Sequence, residues 1–172
     1  MKYFNGFCLQ NEEALFEPYL IQSDFTVAGF SYGAIKAVQY AFTCKTRIDT
    51  LQLFSPAFFE DKDAKFKKLQ TLSFAKNSDA YTQNFMQNCA YPSTLDLQPF
   101  FHKGSIEELN ELLHHTWDES CLHTLKERGI TIEVYVGECD TIINPISVKD
   151  FFVDFATVYY LKRVGHILQW TF

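Results

Sequence analysis

Residues 25–38 read Phe25-Thr26-Val27-Ala28-Gly29-Phe30-Ser31-Tyr32-Gly33-Ala34-Ile35-Lys36-Ala37-Val38, and the change of period inside this run decides the fold. Phe25 to Phe30 is a short apolar, partly β-branched run, the pattern of a buried strand. From Gly33 to Thr43 the period becomes helical, with Ala34, Ala37, Val38 and Ala41 forming a small-residue stripe that lets a helix lie close to a sheet. Gly29-Phe30-Ser31-Tyr32-Gly33 leaves no room for a loop between the two. The chain must turn sharply at Ser31, in a strained backbone conformation that lifts the hydroxyl clear of the sheet, and Gly29 and Gly33 remove the side chains that would collide. The helix that follows aims its N-terminal dipole and free N–H groups at the same point, which favours a developing oxyanion. Ser31 is therefore the candidate nucleophile.

Working outward, the rhythm repeats. Lys2–Phe7 predicts a strand, and residues 11–21 a helix with Asn11 as N-cap and Glu12 and Glu13 in its first turn. Asp49–Phe54 predicts a third strand, Ile130–Val136 a fourth, Pro145–Phe155 a helix and Thr157–Leu161 a fifth strand. Residues 59–125 hold no strand pattern and predict a helical insertion, within which Ser105 and Glu108 have capping-box spacing. Strands alternating with helices imply an α/β fold, a mostly parallel sheet of about five strands in one domain over residues 1–172. In such sheets ligands and chemistry sit outside the carboxyl ends of the strands.

Two further motifs fall at those ends. Gly137-Glu138-Cys139-Asp140 follows the fourth strand and offers a carboxylate to orient an imidazole, Asp140 being preferred and Glu138 its nearest rival. Val164-Gly165-His166 follows the fifth. The other histidines, His102, His114, His115 and His123, lie in the insertion and read as surface or packing residues. The order Ser31, Asp140, His166 is that of a Ser-Asp-His hydrolytic triad. An oxyanion hole needs the N–H after the nucleophile, here that of Tyr32, and a second from the loop Asn5-Gly6-Phe7-Cys8, with Phe7 first choice and Cys8 runner-up.

Composition bounds the function. The chain has 172 residues and a net charge of −6, which argues against a nucleic-acid partner. Five cysteines, widely spaced and without a C-x-x-C pair, argue against a disulfide framework or zinc ribbon and for a reducing cytoplasm. No apolar stretch is long enough to span a bilayer, and no secretory leader is recognisable. Phe, Tyr and Trp make up 17% of the chain, so the core and any pocket should be aromatic, with Phe58, Phe59, Phe66, Phe74 and Phe85 as candidate pocket walls. Residues 62–76 carry a local net charge of +4. Lys62, Lys65, Lys67 and Lys68 there are candidates for docking an acidic partner, although a solvated helix surface explains them equally well.

With these motifs in hand the chain resembles the α/β-hydrolase family over nearly its whole length, Asn5-Gly6-Phe7 standing where many members have His-Gly-X. The N-G-F-C loop and the G-F-S-Y-G turn further resemble esterases of the BioV type, which act on the methyl ester of pimeloyl-acyl carrier protein in biotin synthesis. The resemblance implies strands in the family order 3-5-6-7-8, the family's strands one, two and four being missing at one edge. It implies a Ser31-Asp140-His166 triad, a helical lid over residues 59–125, acyl carrier protein as the partner bearing the substrate, and no metal or organic cofactor. A generalist carboxylesterase or thioesterase shares the triad and differs only in its pocket; a non-catalytic binding module of the same fold usually loses part of it. Only six residues follow His166, too few for the final helix of most members, so how that loop is anchored is open at this level.

Overall fold

The computed structural model describes residues 1–170. Five parallel strands, β1 (Lys2–Phe4), β2 (Thr26–Phe30), β3 (Thr50–Phe54), β4 (Thr131–Gly137) and β5 (Thr157–Leu161), lie in the spatial order β1-β2-β3-β4-β5. All five residues of β2 are buried, as a central strand covered on both faces requires. Among the described residues six α-helices connect or follow the strands: α1 (Tyr32–Thr43), α2 (Ala64–Lys76), α3 (Ser78–Ala90), α4 (Ile106–His114), α5 (Glu119–Glu127) and α6 (Pro145–Phe152). Among the described residues no helix is long and apolar enough to cross a membrane.

The two faces of the sheet are covered differently. Val27, Leu51, Leu53, Ile132, Val134 and Val136 point to one face and form the larger core with α1, α5 and α6, through residues such as Ala37, Leu122 and Phe152. On the other face Phe30, Phe54, Tyr135 and Tyr159 stand directly opposite one another across four strands. Ring centroids lie 5.1 Å apart from Phe54 to Tyr135 and 4.6 Å from Tyr135 to Tyr159, and Phe16 stacks on Phe54 at 4.6 Å. Met86, Cys89 and Ala90 at the end of α3 cover part of this face, and Phe16, Leu20, Ile167 and Leu168 close the rest from irregular segments, so aromatic rings supply much of the buried area that helices supply on the other face.

Two boundaries differ from the sequence expectation. The helix expected over 11–21 is a 3₁₀ turn at Glu12–Phe16. Asn11 sits at φ 56° and makes no cap hydrogen bond, and Pro18 cannot donate to a continuing helix. The backbone beyond is claimed by buried Gln52 of β3, which accepts from the Ile21 N–H at 2.9 Å and donates to the Tyr19 carbonyl at 2.9 Å. β1 ends at Phe4 rather than Phe7, because the Gly6 N–H turns away from the sheet to Glu12. The 59–125 stretch also divides: α2, α3 and α4 stand at the carboxyl end of the sheet, whereas α5 packs beside α1 as the crossover into β4. The Ser105–Glu108 capping box is formed at the start of α4.

Gly33 makes the close contact of α1 with β1 possible. A Cβ at this position would overlap the backbone carbonyls of Phe4 and Asn5. In an ordinary helix Gly to Ala stabilises by about 1 kcal/mol. Here we expect the opposite sign: Gly33→Ala should lower stability by about 1–3 kcal/mol through overpacking, read as a lower urea midpoint, and a raised midpoint would contradict this packing.

Candidate active site

Ser31 lies between β2 and α1 at φ 53° and ψ −113°, a conformation rare for a residue with a side chain. Its backbone is pinned on both sides. The Ser31 N–H donates to the Phe54 carbonyl at 2.9 Å, and its carbonyl accepts from Ala34 at 3.1 Å and Ala57 at 3.2 Å. A Cβ on Gly29 would overlap the Gly33 carbonyl, so the turn closes only because both positions are glycine. The helix that starts at Tyr32 leaves its first N–H groups facing the site.

The loops after β4 and β5 bring Asp140 and His166 to the same point. His166 Nε2 lies 2.9 Å from Ser31 Oγ, and His166 Nδ1 lies 2.7 Å from Asp140 Oδ2. Facing a carboxylate, Nδ1 carries the proton, which leaves Nε2 as the acceptor for the serine hydroxyl. Asp140 Oδ1 is itself held by the N–H groups of Ile142 at 2.8 Å and Ile143 at 3.1 Å. His166 is fully buried and its ring packs on Phe30 with centroids 4.9 Å apart. The rival carboxylate, Glu138, turns away to accept from the Arg163 N–H.

Among the described residues the His166 loop is held by hydrogen bonds and close main-chain packing. Ser55, itself at φ 41°, donates its hydroxyl to the His166 carbonyl at 2.7 Å. Gly165 lies so close to the Tyr91 carbonyl that any Cβ would overlap it, and Gly137 is packed in the same way against the carbonyls of Val164 and Gly165. Ile167 and Leu168 are buried in the aromatic face, and the Gln169 amide donates to the Leu15 carbonyl. Neither Ser55 nor Gln169 carries a local signal, since the partner of each lies more than a hundred residues away in sequence.

A cavity of about 250 Å³ opens at Ser31. Its walls are apolar at Phe7, Phe59, Phe66, Phe85, Leu109, Leu112 and Ile142, with neutral polar groups from Gln70, Tyr81, Asn84, Asn88 and Thr141. No side chain that is charged at neutral pH lines it among the described residues. Of the aromatic residues expected in its walls, Phe59, Phe66 and Phe85 are there. Phe58 packs on Phe151 instead, and Phe74 lies behind the wall against Phe7 and Tyr81. Among the described residues the N–H groups of Phe7, Cys8 and Tyr32 make no hydrogen bond to the protein; Phe7 but not Cys8 lines the cavity, the Cys8 thiol being turned toward Thr82.

The Tyr32 hydroxyl donates to Glu111 on α4 at 2.6 Å, and Lys36 pairs with the other Glu111 oxygen at 2.5 Å. Burial and the Glu111 contact push the Tyr32 phenol up from its ordinary value, so it remains a donor. The basic segment lies on α2. Phe66 and Gln70 of that helix face the cavity, Lys65 and Lys68 are exposed together with Leu69 and Leu72, Lys67 is half-buried, and Lys62 pairs with Asp61.

No protein-family sequence profile and no curated protein sequence matches the chain. Solved structures do. MenH of S. aureus superposes with a TM-score of 0.61 at 12% identity, over 97% of this chain and 87% of MenH. The fold is that of the α/β-hydrolases. A carboxylesterase of the thaumarchaeon Nitrososphaera gargenis gives a TM-score of 0.58 at 17% identity, and the esterase EaEST of Exiguobacterium antarcticum gives 0.61 at 16%. This hydrolase-fold chain spans 57% and 59% of the lengths of those two esterases, each over 82% of its own.

Ser55 offers a test of the loop anchoring. Ser55→Ala leaves the buried His166 carbonyl without its donor and should lower unfolding free energy by about 1–3 kcal/mol. Chemical denaturation checks this, and an unchanged midpoint would mean that the loop is held by packing alone.

Proposed function

We propose that the chain is a serine hydrolase of carboxylic esters. The observation that carries this reading is the unbroken hydrogen-bond chain Asp140–His166–Ser31 at the floor of a cavity walled by apolar and neutral polar groups. In the proposed reaction His166 Nε2 takes the proton of Ser31 Oγ as the oxygen bonds to the ester carbonyl carbon, and the carbonyl oxygen becomes an oxyanion held by the Tyr32 and Phe7 N–H groups. The bond to the alkoxy oxygen then breaks, and His166 returns the proton to the departing alcohol. Water, deprotonated by the same imidazole, attacks the acyl-enzyme and releases the carboxylic acid and the Ser31 hydroxyl. Asp140 keeps the ring oriented and stabilises the imidazolium.

The polarity of the cavity supports a neutral ester as substrate. An uncharged acyl chain enters apolar walls at little cost, whereas the carboxylate product finds no cation there and is expelled. The N-G-F-C and G-F-S-Y-G segments narrow the reading to the methyl ester of pimeloyl-acyl carrier protein, with methanol and the free pimeloyl carboxylate as products. In this reading α2, α3 and α4 act as the lid. Lys65 and Lys68 meet the acidic carrier protein, Lys67 contributing at its margin and Lys62 less because Asp61 already pairs with it. Five unpaired cysteines suit a reducing cytoplasm.

Ser31→Ala should fold, lose fluorophosphonate labelling and lose ester hydrolysis, and Asp140→Asn should cost on the order of 10⁴ in kcat. Full activity in the Ser31 variant would end the scheme. Lys65→Glu combined with Lys68→Glu should raise KM for a carrier-linked ester and spare a small soluble ester. Equal effects on both would remove the carrier docking role, and failure to restore growth of a biotin-requiring strain lacking its own esterase would favour a generalist carboxylesterase or thioesterase.

A further inference from the structure

Glu12 is fully buried and enters no step of the reaction above. Its Oε1 accepts the Gly6 N–H at 2.6 Å, with the Tyr3 hydroxyl more distant at 3.4 Å, while Oε2 has no hydrogen-bond partner among the described residues. The titratable groups that face it are Tyr3 on β1 and Glu13 in its own turn, and no cation does so. Around it Phe16 packs on Tyr3 and Phe30, and Phe30 also lies against Gly6. A carboxylate buried in apolar surroundings without a cation costs the fold stability. Its one strong contact is with the peptide immediately before Phe7.

We propose that Glu12 is the positioning residue of the oxyanion hole: by gripping the Gly6 N–H it fixes the next peptide so that the Phe7 N–H faces the cavity at Ser31. This rests on the reading of Ser31 as nucleophile and Phe7 as oxyanion donor. The free Phe7 N–H and the presence of Phe7 and Ser31 in one cavity agree with it. The grip depends on protonation. Ionised, Glu12 accepts a short, charge-assisted bond; protonated, it is a weaker acceptor at Oε1 and carries on Oε2 a hydroxyl that has nothing to donate to.

Desolvation lifts the Glu12 carboxyl from the ordinary range to about 7, the Gly6 N–H opposing the shift only in part. The signs for activity and stability are then opposite. The folded state binds this proton more tightly than the unfolded chain, so the Glu12 contribution to stability falls as pH rises from the ordinary carboxylate range through about 7. Over the same interval the grip on Gly6 strengthens and turnover rises. A residue serving stability alone would not move the two in opposite directions.

The test compares wild type and Glu12→Gln in hydrolysis of a small p-nitrophenyl ester across pH, and in thermal melting at about pH 5 and about pH 8. The amide keeps an acceptor for Gly6 but has no proton to lose. At the alkaline end kcat should fall about 10- to 100-fold with KM little changed. The acid limb of log kcat/KM, steeper than unit slope in wild type because loss of the Glu12 proton adds to the ordinary acid limb of the reaction, should return to unit slope. The melting temperature of Glu12→Gln relative to wild type should rise by several degrees between the two pH values. If Glu12→Gln does not fold, Glu12→Asp keeps the charge but withdraws it from Gly6, and should lower kcat and return the limb to unit slope, its proton no longer being tied to the Gly6 contact. Equal kcat and unit slopes in wild type and variant overturn the Glu12 role and leave the hydrolase reading intact. A wild type that takes no fluorophosphonate label and turns over no ester overturns both.

Discussion

The backbone of Ser31, held at φ 53° between β2 and α1, is the constraint on which the rest of the site depends. A serine in that conformation is paid for by neighbours that fix it from three directions: the Phe54 carbonyl on β3, the Ala57 N–H beyond β3, and the Ala34 N–H in α1. Each of these contacts requires close backbone approach, and the two glycines of the turn supply it. Gly29 meets the Gly33 carbonyl, and Gly33 meets the carbonyls of Phe4 and Asn5. The loop that carries Phe7 is thus seated against the same turn that carries Ser31, and the distance between the two is set by main-chain packing.

The aromatic face of the sheet answers a different demand. Covered by the 3₁₀ turn at Glu12–Phe16, the end of α3 and the segment after β5, this face has less helix over it than the other. The row Phe30, Phe54, Tyr135 and Tyr159 fills the deficit, each ring standing beside the next in strand register, and ring pairs of this kind contribute roughly 0.5–1.5 kcal/mol each beyond simple burial. The row ends at the active site. Phe30 supports the His166 ring, so the layer that closes the sheet also sets the height of that imidazole.

What the sequence disclosed and what it hid divide along the range of the interactions. The strand–turn–helix at Ser31, the strand-end glycines and the order Ser31, Asp140, His166 are local patterns, and the structure brings those three side chains within hydrogen-bond reach. Glu12, Gln52 and Ser55 were invisible as functional positions. Glu12 reads as an acidic residue in the first turn of a helix, the ordinary place for one, yet it is fully buried and holds the Gly6 N–H. Gln52 lies inside the run Asp49–Phe54 that predicts a strand, yet its amide captures the Tyr19 and Ile21 backbone and so prevents the helix that the spacing over 11–21 suggests. Long-range capture of backbone groups has no signature in a window of a dozen residues.

Tyr32 joins the two halves of the site. Its N–H belongs to the floor beside Ser31, while its hydroxyl grips Glu111 on α4, whose Leu109 and Leu112 form the cavity wall. Lys36, one turn further along α1, neutralises Glu111 and lies over the Tyr32 ring at 4.9 Å. Displacement of α4 must therefore break a short hydrogen bond and separate an ion pair, both anchored on the helix that begins next to Ser31. Exposed pairs of this kind contribute little to global stability, but this one is placed where wall and floor meet. Motion of the cavity wall and the position of the Tyr32 N–H are coupled through one side chain, so the shape of the substrate pocket and the geometry around Ser31 cannot vary independently.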